Sequence, residues 1–537
     1  MIVNKLLRGQ SSASGIGFLR KIIQPVRQRS SGIEIPQPAD VSSTVQKVKL
    51  SEPLPGFPRI IYPQPGPEND ETKVTTLKNG LKVASQAKFG QFCTVGVVFD
   101  SGSRYEVNFP SGVSHFLEKL AFQSTASYSS REHIWQDLEK HGGIVDCQGS
   151  RDCMIYAASV DVQGLEAAIK IISETTMRPN FLEEEISIAK QTLNFELQDI
   201  FMRAEQEMTL LELIHQAAYR SNTLGLPRLC PADNVDKMSR ELAMKFLKVH
   251  HTPERTVLAG VGCEHQRLVE LAEKYFVETK PVWELDESIV NLTMKPDKSM
   301  AQYTGGLATM DKDLSDVSQG VAPIPELTHI VLGFESSSHQ YLEDFVPTCV
   351  LNMMMGGGGS FSAGGPGKGM YTRLYLDVLN RYHWMYNATA YNHAYVDSGV
   401  FCIHASGPPR KLKDLIYVIA HEAASMGLKL RENELERAKS QLQSMLLMNL
   451  EARPVVFEDI ARQVVANGFR RSPRFYMDAI DKVTWEDVKR VVDRMMKTNV
   501  SLAVLGDLKN LPPIEEIQSF INRSTTASTS KKFSIFS

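Results

Sequence analysis

His115, Glu118 and Lys119 stand at positions i, i+3 and i+4 of the segment His115-Phe116-Leu117-Glu118-Lys119. A helix brings side chains at these spacings onto one face. Two histidines at i and i+4 bind one zinc ion, and a glutamate at i+3 then takes a proton from the metal-bound water. Here Lys119 occupies the second ligand position. An ammonium group has three donors and no lone pair, so we expect no useful zinc binding by this helix.

Taken alone, this segment leaves two interpretations open. Either Glu118 and Lys119 belong to a metal site that has lost one ligand, or they lie on an ordinary polar helix face. Isolated H-x-x-E matches are common, so the surrounding sequence has to decide between the two.

A second unusual segment spans residues 356–369, GGGGSFSAGGPGKG, with eight glycines in fourteen positions. Glycine loses the most conformational freedom on folding, so a long glycine-rich loop is either functional or a disordered insertion. It is not a phosphate-binding loop of the Walker type. Ser362 stands where the first glycine of that pattern belongs, and Gly369 stands where its serine or threonine belongs.

Length and composition limit the class of protein. The 537 residues exceed what one hydrophobic core organises, so more than one domain is expected. With 42% hydrophobic and 23% charged residues the composition is that of a globular protein, and a net charge of −3 gives no argument for nucleic acid. Seven cysteines without a C-x-x-C pair favour a reducing compartment. No apolar run is long enough to span a bilayer.

The N-terminus has the pattern of a mitochondrial transit peptide, predicted at residues 1–33. It contains six basic residues and no acidic one before Glu34, and Phe18, Leu19, Ile22, Ile23 and Val26 recur at helical spacing. Residues 34–72 are rich in proline, which resists helix and central strand, and they are predicted to form an extended arm.

The apolar pattern from residue 73 onward predicts the elements that position the motif. An Asn-Gly turn at 79–80 joins two short strands, and the runs 94–99, 154–160 and 256–262 are typical of buried strands. Helices are expected at 111–122, 131–141, 163–177, 181–220, 238–250 and 264–276. The H-x-x-E segment therefore lies on a helix that follows a buried strand.

The second half of the chain repeats this order in outline, with a strand at 328–334 and a helix at 340–355. The segments 236–239 and 481–484 match best, since each heads a helix that leads to a strand. We therefore predict an α+β fold of two homologous α/β-sandwich domains, at residues 73–280 and 326–522. A linker at 281–325 joins them, and a disordered tail is expected at 523–537.

Together these features resemble the branch of the pitrilysin family that holds the mitochondrial processing peptidase and the core proteins of the cytochrome bc1 complex. The resemblance covers roughly residues 73–520 and rests on the H-x-x-E segment, on Ser101-Gly102-Ser103-Arg104, on the repeat and on the N-terminus. It implies that the third zinc ligand is a glutamate on a downstream helix, and Glu196 is the matching residue. His115, Lys119 and Glu196 are then relic metal positions and Glu118 a relic catalytic base, with no metal and no catalytic residue in this chain.

The resemblance also implies a role for the glycine-rich segment. The processing peptidase is a heterodimer in which the β subunit bears the zinc, while its homologous partner subunit has lost the motif and carries a long glycine-rich loop. Residues 356–369 resemble that loop, which implies substrate binding by the following residues: Gly356, Gly357, Gly358, Gly359, Ser360, Phe361, Ser362, Ala363, Gly364, Gly365, Pro366, Gly367, Lys368 and Gly369.

The function implied is that of a non-catalytic subunit in the mitochondrial matrix. It would recognise presequences, pair with the zinc-bearing β subunit, and bind no zinc and no nucleic acid itself. Two alternatives stay open: a structural core protein of the bc1 complex, associated with the inner membrane, and an active metalloendopeptidase. Candidate carboxylates for substrate arginines are Glu335, Glu343, Asp344, Asp377 and Asp397.

Overall fold

Two six-stranded β-sheets organise the part of the chain that the computed structural model describes. The described residues are 71–203, 206–285, 294–315, 326–359, 370–428 and 430–527. The predictions for the transit peptide at 1–33, for the arm up to residue 70 and for residues 528–537 lie outside them.

The first sheet is built from β1 (Thr72–Thr76), β2 (Lys82–Gln86), β3 (Phe92–Phe99), β4 (Ile144–Gly149), β5 (Met154–Asp161) and β6 (Thr256–Val261). Its strand order is β1-β2-β6-β3-β5-β4. Strands β3 and β6 are continuous apolar runs because they lie at the centre of the sheet and are buried on both faces.

The second sheet is built from β7 (Gly306–Asp311), β8 (Thr328–Ser336), β9 (Gly357–Gly359), β10 (Asn387–Ala394), β11 (Gly399–Gly407) and β12 (Ser501–Gly506). Its strand order is β7-β12-β8-β11-β10-β9. Both sheets are mixed, each with one parallel pair, β2 with β6 and β7 with β12.

The strand orders confirm the predicted internal repeat. The series β2-β6-β3-β5-β4 in the first sheet corresponds to β7-β12-β8-β11-β10 in the second, and every neighbouring pair agrees in direction. The sheets differ only at their ends, where the first adds β1 beside β2 and the second adds the all-glycine strand β9 beside β10. The predicted α+β class with two homologous α/β domains is therefore correct.

Helices cover both sheets. In chain order they are α1 (Val113–Lys119), α2 (Arg131–Glu139), α3 (Leu165–Met177), α4 (Glu183–Met202), α5 (Glu207–Tyr219), α6 (Ala232–Val235), α7 (Arg240–His250), α8 (His265–Ala272), α9 (Leu342–Met355), α10 (Leu412–Ala424), α11 (Glu434–Leu450), α12 (Arg453–Asn467), α13 (Pro473–Asp481), α14 (Trp485–Met495) and α15 (Ile514–Ala527). Ser239 and Thr484 cap α7 and α14 through their side-chain oxygens, as their matching positions in the repeat suggest. None of the helices among the described residues has the length and apolar character needed to cross a bilayer.

The two halves exchange one helix each. Helix α5 belongs to the first half of the chain but packs on the second sheet, where Ile214 shares a core with Ala503. Helix α12 belongs to the second half but packs on the first sheet, where Phe457 shares a core with Val98. The single helix predicted at 181–220 is therefore wrong: the chain leaves helical geometry at Arg203 (ψ 144°), so that α4 covers its own sheet and α5 reaches the other one.

Two predicted boundaries also change. The linker predicted at 281–325 contains β7, whose only buried side chain is that of Ala308 and which is held by pairing with β12. The tail predicted from residue 523 is helical as far as Ala527, because Ile517 and Ile521 of α15 are buried in the second core. In both cases contacts with distant parts of the chain stabilise the segment, which its local sequence alone did not predict.

A buried ion pair joins the halves. The Arg104 guanidinium donates to both oxygens of Asp397, from Nη1 to Oδ1 at 2.9 Å and from Nη2 to Oδ2 at 2.6 Å, and its Nη1 also lies 3.0 Å from Asp152 Oδ1. Asp397 Oδ2 accepts a further bond from the backbone N–H of Ala301. Arg104 follows β3, whereas Asp397 lies between β10 and β11, so this cluster holds the two domains to each other.

Candidate functional site

Helix α1 carries the H-x-x-E segment and is fixed at its N-terminus by a buried carboxylate. Glu106 accepts the backbone N–H groups of Gly112 and Ser114 at 2.6 and 2.7 Å, which satisfies two donors that the helix leaves unpaired. Burial raises the pKa of Glu106 to about 7, against the opposing effect of these bonds. Gly112 has φ +103°, and a Cβ there would lie 2.5 Å from Cys230, so only glycine fits.

His115 is buried and bonded through both ring nitrogens. Its Nδ1 accepts the backbone N–H of Cys230 at 3.1 Å, which assigns the remaining proton to Nε2. That Nε2 lies 3.2 Å from Glu196 Oε2 on α4 and donates to it. The nitrogen that would face a metal therefore carries a proton that is committed to a carboxylate.

Lys119 lies between the two carboxylates of the site. Its Nζ is 2.6 Å from Glu196 Oε2 and 3.4 Å from Glu118 Oε1. Glu118 Oε2 in turn accepts the backbone N–H of Gly149 at 2.9 Å and lies 3.9 Å from Arg228 Nη1. The two carboxylates thus face two monovalent cations, which supply the positive charge that one divalent ion would otherwise bring.

The charge of Glu196 is stabilised by this arrangement. Its side chain is 30% exposed. Burial disfavours the charged form, but the hydrogen bonds from His115 and Lys119 outweigh it and lower the pKa of Glu196 to about 2. The carboxylate is therefore ionised at every physiological pH and accepts hydrogen bonds from His115 and Lys119.

Zinc does not fit these residues. A hydrolytic zinc site needs three protein ligands with lone pairs, whereas Lys119 offers three N–H donors at the second ligand position. Across the described ranges, no group of three or more histidine, cysteine, aspartate or glutamate side chains is arranged to hold a metal ion. Glu118, at the position of the catalytic base in the H-x-x-E-H pattern, accepts the backbone N–H of Gly149 at the end of β4.

The structure brings His115, Glu118, Lys119 and Glu196 into one cluster. It places the start of the glycine-rich segment on the other sheet. Gly357–Gly359 form β9 at the edge of the second sheet, paired with β10. Gly356 ends α9. Residues 360–369, including Phe361 and Lys368, lie outside the described residues.

Four of the five candidate carboxylates for substrate arginines have other surroundings. Asp397 is bound by Arg104, Asp377 by Arg381 and Arg431, and Asp344 by Arg490 and Arg494. Burial raises the pKa of Glu335, which opposes its charged form. Glu343, on the first turn of α9, is exposed. A carboxylate that binds a substrate arginine should be exposed and charged. Of the five candidates, Glu343 is the one that the structure leaves exposed and that has no arginine side chain bound to its carboxylate among the described residues.

Sequence reasoning missed two members of the cluster. Arg228 comes from a loop 109 positions beyond Lys119 (228 − 119), and Gly149 from the end of β4. Nothing in their local sequence marks them, because fold topology alone brings them to α1. Cys230, whose backbone fixes the His115 ring, is likewise recognisable only in three dimensions.

Two family models match the chain. The model described as Insulinase (Peptidase family M16) matches residues 82–232, and the one described as Peptidase M16 inactive domain matches residues 237–442. The chain is also 50% identical to a human protein named mitochondrial-processing peptidase subunit alpha, over 97% of this chain and 96% of the human one.

The chain belongs to peptidase family M16. The resemblance to the processing-peptidase branch is thereby confirmed. Relatives of the same name share 42% identity in Caenorhabditis elegans, over 89% of this chain and 95% of that protein, and 32% in Solanum tuberosum, over 88% and 87%.

A solved structure shows the same fold at low identity. It is titled Complex III2 from Candida albicans, Inz-5 bound, and matches with a TM-score of 0.67 and 20% identity, over 84% of this chain and 99% of that one. At this identity the likeness concerns the M16 fold alone.

Proposed function

We propose that this chain is the non-catalytic, substrate-recognition subunit of the mitochondrial processing peptidase. The observation that carries the proposal is the Lys119 ammonium between Glu118 and Glu196. A chain that keeps the peptidase fold but replaces a metal ligand with a cation cannot activate water there, so it contributes something other than hydrolysis.

The relatives support the identity of the complex and its place in the cell. They are named subunit alpha of a mitochondrial-processing peptidase. We infer from that name a mitochondrial protein that works in the matrix beside a homologous β subunit, which holds the zinc. The transit-like residues 1–33 agree with this location.

The ligand we propose is the presequence of an imported precursor, bound by the glycine-rich loop Gly356–Gly369. Presequences share basic, amphipathic character but no common sequence. A segment poor in side chains offers backbone N–H and C=O groups to such peptides without steric selection. Phe361, its one large apolar side chain, would contact the apolar side of the peptide.

A core protein of the bc1 complex is the competing function, which would associate the chain with the inner membrane. The likeness to a complex III structure does not favour it, since at 20% identity it concerns the fold alone. The glycine-rich segment and the printed names of the relatives favour the recognition subunit.

The decisive experiment mixes this chain with a homologue that carries H-x-x-E-H and supplies an arginine-containing presequence peptide. Cleavage is expected only with both chains present. Deleting residues 360–369 should raise KM strongly, whereas removing residues 1–33 should leave KM unchanged. Cleavage by this chain alone, or full activity of the homologue without it, would refute the proposal.

A further inference from the structure

The solvent face of α4 carries a row of apolar side chains. Ile188, Phe195 and Met202 are 61%, 69% and 49% exposed, and they stand at positions i, i+7 and i+14 of the helix. Residues seven apart lie within about 20° of one another around a helix. The three side chains therefore form one row, the α4 stripe, which is about 21 Å long at the usual rise of a helix.

The α4 stripe is not part of the first core. The opposite face of the helix supplies Ile186, Ala189 and Leu193 to that core, and each of them is buried. The three residues of the stripe lie outside the hydrophobic clusters that the described residues form. Packing within the chain therefore gives no reason for these positions to be apolar.

The internal repeat supports this. Helix α11 is the counterpart of α4, since it packs on α9 as α4 packs on α1, and each of the two helices precedes an exchanged helix. Over its first three turns α11 presents polar residues to solvent, among them Arg437, Ser440 and Ser444. Its exposed apolar residues, Leu447 and Met448, are confined to the last turn. An apolar row along most of the helix is thus a feature of α4 and not of the repeated fold.

Acidic side chains accompany the α4 stripe. The helix contains five acidic residues and one basic residue. Glu183 and Glu184 are exposed on its first turn, and Glu184 lies on the same face as Ile188 because the two are four positions apart. A surface that is apolar along its length and acidic at one end complements a helix with an apolar face and basic residues beside it.

We propose that the α4 stripe binds the amphipathic part of a presequence in helical form, at a place separate from the glycine-rich segment. This inference rests on the proposed function. The first 33 residues of the chain show the chemistry of such a ligand, with six basic residues, no acidic one and the following apolar residues at helical spacing: Phe18, Leu19, Ile22, Ile23 and Val26. The apolar face of the peptide helix covers the stripe, and its basic residues approach Glu183 and Glu184.

The test measures binding of a labelled peptide with the sequence of residues 1–33 to the complete heterodimer by fluorescence anisotropy. The partner's zinc is chelated so that the peptide is not cleaved. We expect Ile188→Gln/Phe195→Gln to raise Kd about tenfold, because the peptide loses its apolar contacts with two side chains. Tm should stay unchanged, since both positions are exposed and glutamine favours the helix.

Leu447→Gln/Met448→Gln is the matched control. It makes the same kind of change at exposed apolar positions of the counterpart helix α11. It should leave Kd within about twofold of the wild-type value. If it raises Kd as much as Ile188→Gln/Phe195→Gln does, the peptide binds exposed apolar residues without preference and the proposal is refuted.

Two variants of one residue test the charge of the ligand. Phe195→Lys and Phe195→Glu remove the same apolar side chain and introduce charges of opposite sign. Because the peptide is basic, Phe195→Lys should give a Kd about threefold higher than Phe195→Glu at low salt, and the difference should shrink at high salt. Equal Kd values for the two variants at low salt would rule out a basic ligand on the α4 stripe.

The outcomes separate this inference from the function on which it rests. If deleting residues 360–369 raises KM while Ile188→Gln/Phe195→Gln leaves Kd unchanged, the stripe does not bind the presequence and the recognition function stands. If the double variant prevents the two subunits from co-purifying, or abolishes self-association of this chain, the stripe is a contact between subunits and the proposal is overturned. If cleavage does not require this chain at all, both ideas fail.

Discussion

Lys119 Nζ lies 2.6 Å from Glu196 Oε2, where a metal would be needed to turn this cluster into a hydrolytic site. The same ammonium is 3.4 Å from Glu118, and Arg228 approaches Glu118 from the other side at 3.9 Å. The cluster is therefore neutralised by the chain's own side chains. Lys119 stands where the H-x-x-E-H pattern has its second histidine, and its ammonium supplies positive charge to both carboxylates.

Replacing Lys119 with histidine should restore a zinc site. The variant Lys119→His places imidazoles at i and i+4 beside Glu196, which completes three ligands and leaves a fourth position for water. We expect one zinc ion per chain, with a dissociation constant of about 1 μM or tighter, as measured by calorimetry and elemental analysis. Lys119→Gln removes the cation without adding a ligand and is the control. Failure of Lys119→His to bind zinc would contradict the interpretation of this cluster as a zinc site that lacks one ligand.

Acid should remove the stabilisation that Glu196 provides. Its pKa is about 2 in the folded chain, against about 4.3 unfolded, so its contribution is fully present above about pH 4.3 and is lost as pH falls towards 2. We expect Glu196→Gln to lower the free energy of unfolding by about 1 kcal/mol at pH 7, since partial exposure screens the interaction. The difference from wild type should shrink progressively as the pH falls from about 5 towards about 2 in urea unfolding.

Glu184→Gln is the control for this measurement. Glu184 is an exposed carboxylate on the first turn of the same helix. The free energy of unfolding of Glu184→Gln should differ little from that of the wild type at every pH. A pH-independent effect of Glu196→Gln would contradict the coupling of Glu196 to His115 and Lys119.

The Arg104–Asp397 pair should be structural and not a binding site for substrate arginines. Both side chains are largely buried, so removing one leaves an unpaired charge, and Arg104→Met should destabilise the chain by about 3–5 kcal/mol. Asp397→Asn should lower Tm while KM for a presequence peptide stays unchanged. The double variant Arg104→Met/Asp397→Asn should cost less than the sum of the two single changes, as a double-mutant cycle measures. If the two losses of unfolding free energy added strictly, the proposed interaction between Arg104 and Asp397 would be refuted.

Much of the fold is readable from local sequence because its central strands are continuous apolar runs. The sequences TVGVVF and THIVLGF predict β3 and β8, helical periodicity predicts α1, and the internal repeat predicts α9. Such segments carry their structural signal in their own apolar pattern, so they can be predicted without knowing what they pack against. The H-x-x-E segment was recognisable for the same reason, since its spacing lies within one helix.

The missed elements depend on partners far away in the chain. Strand β9 contains only glycine, which has low strand propensity, and it exists because β10 offers a free edge. Strand β7 is held by β12, almost 200 positions later, and Arg228 reaches Glu118 through the fold alone. The break between α4 and α5 could not be predicted from the sequence either. Both helices are amphipathic, and they differ only in the sheet on which they pack.

The exchanged helices predict that neither half folds alone. One face of each sheet is covered by a helix from the other half of the chain: α5 covers the second sheet, and α12 covers the first. An isolated half would expose that apolar face to water and lose the Arg104–Asp397 pair. We expect residues 71–285 and 294–527, expressed separately, to be aggregated or to lack a cooperative unfolding transition. Co-expression should give a soluble complex with a single transition. Fragments split instead at 203–206, between α4 and α5, should associate through β6 and α12, which lie in the second fragment but pack with β2 and β3 of the first. Independent, cooperative folding of either half in calorimetry would show that the exchanged helix is dispensable.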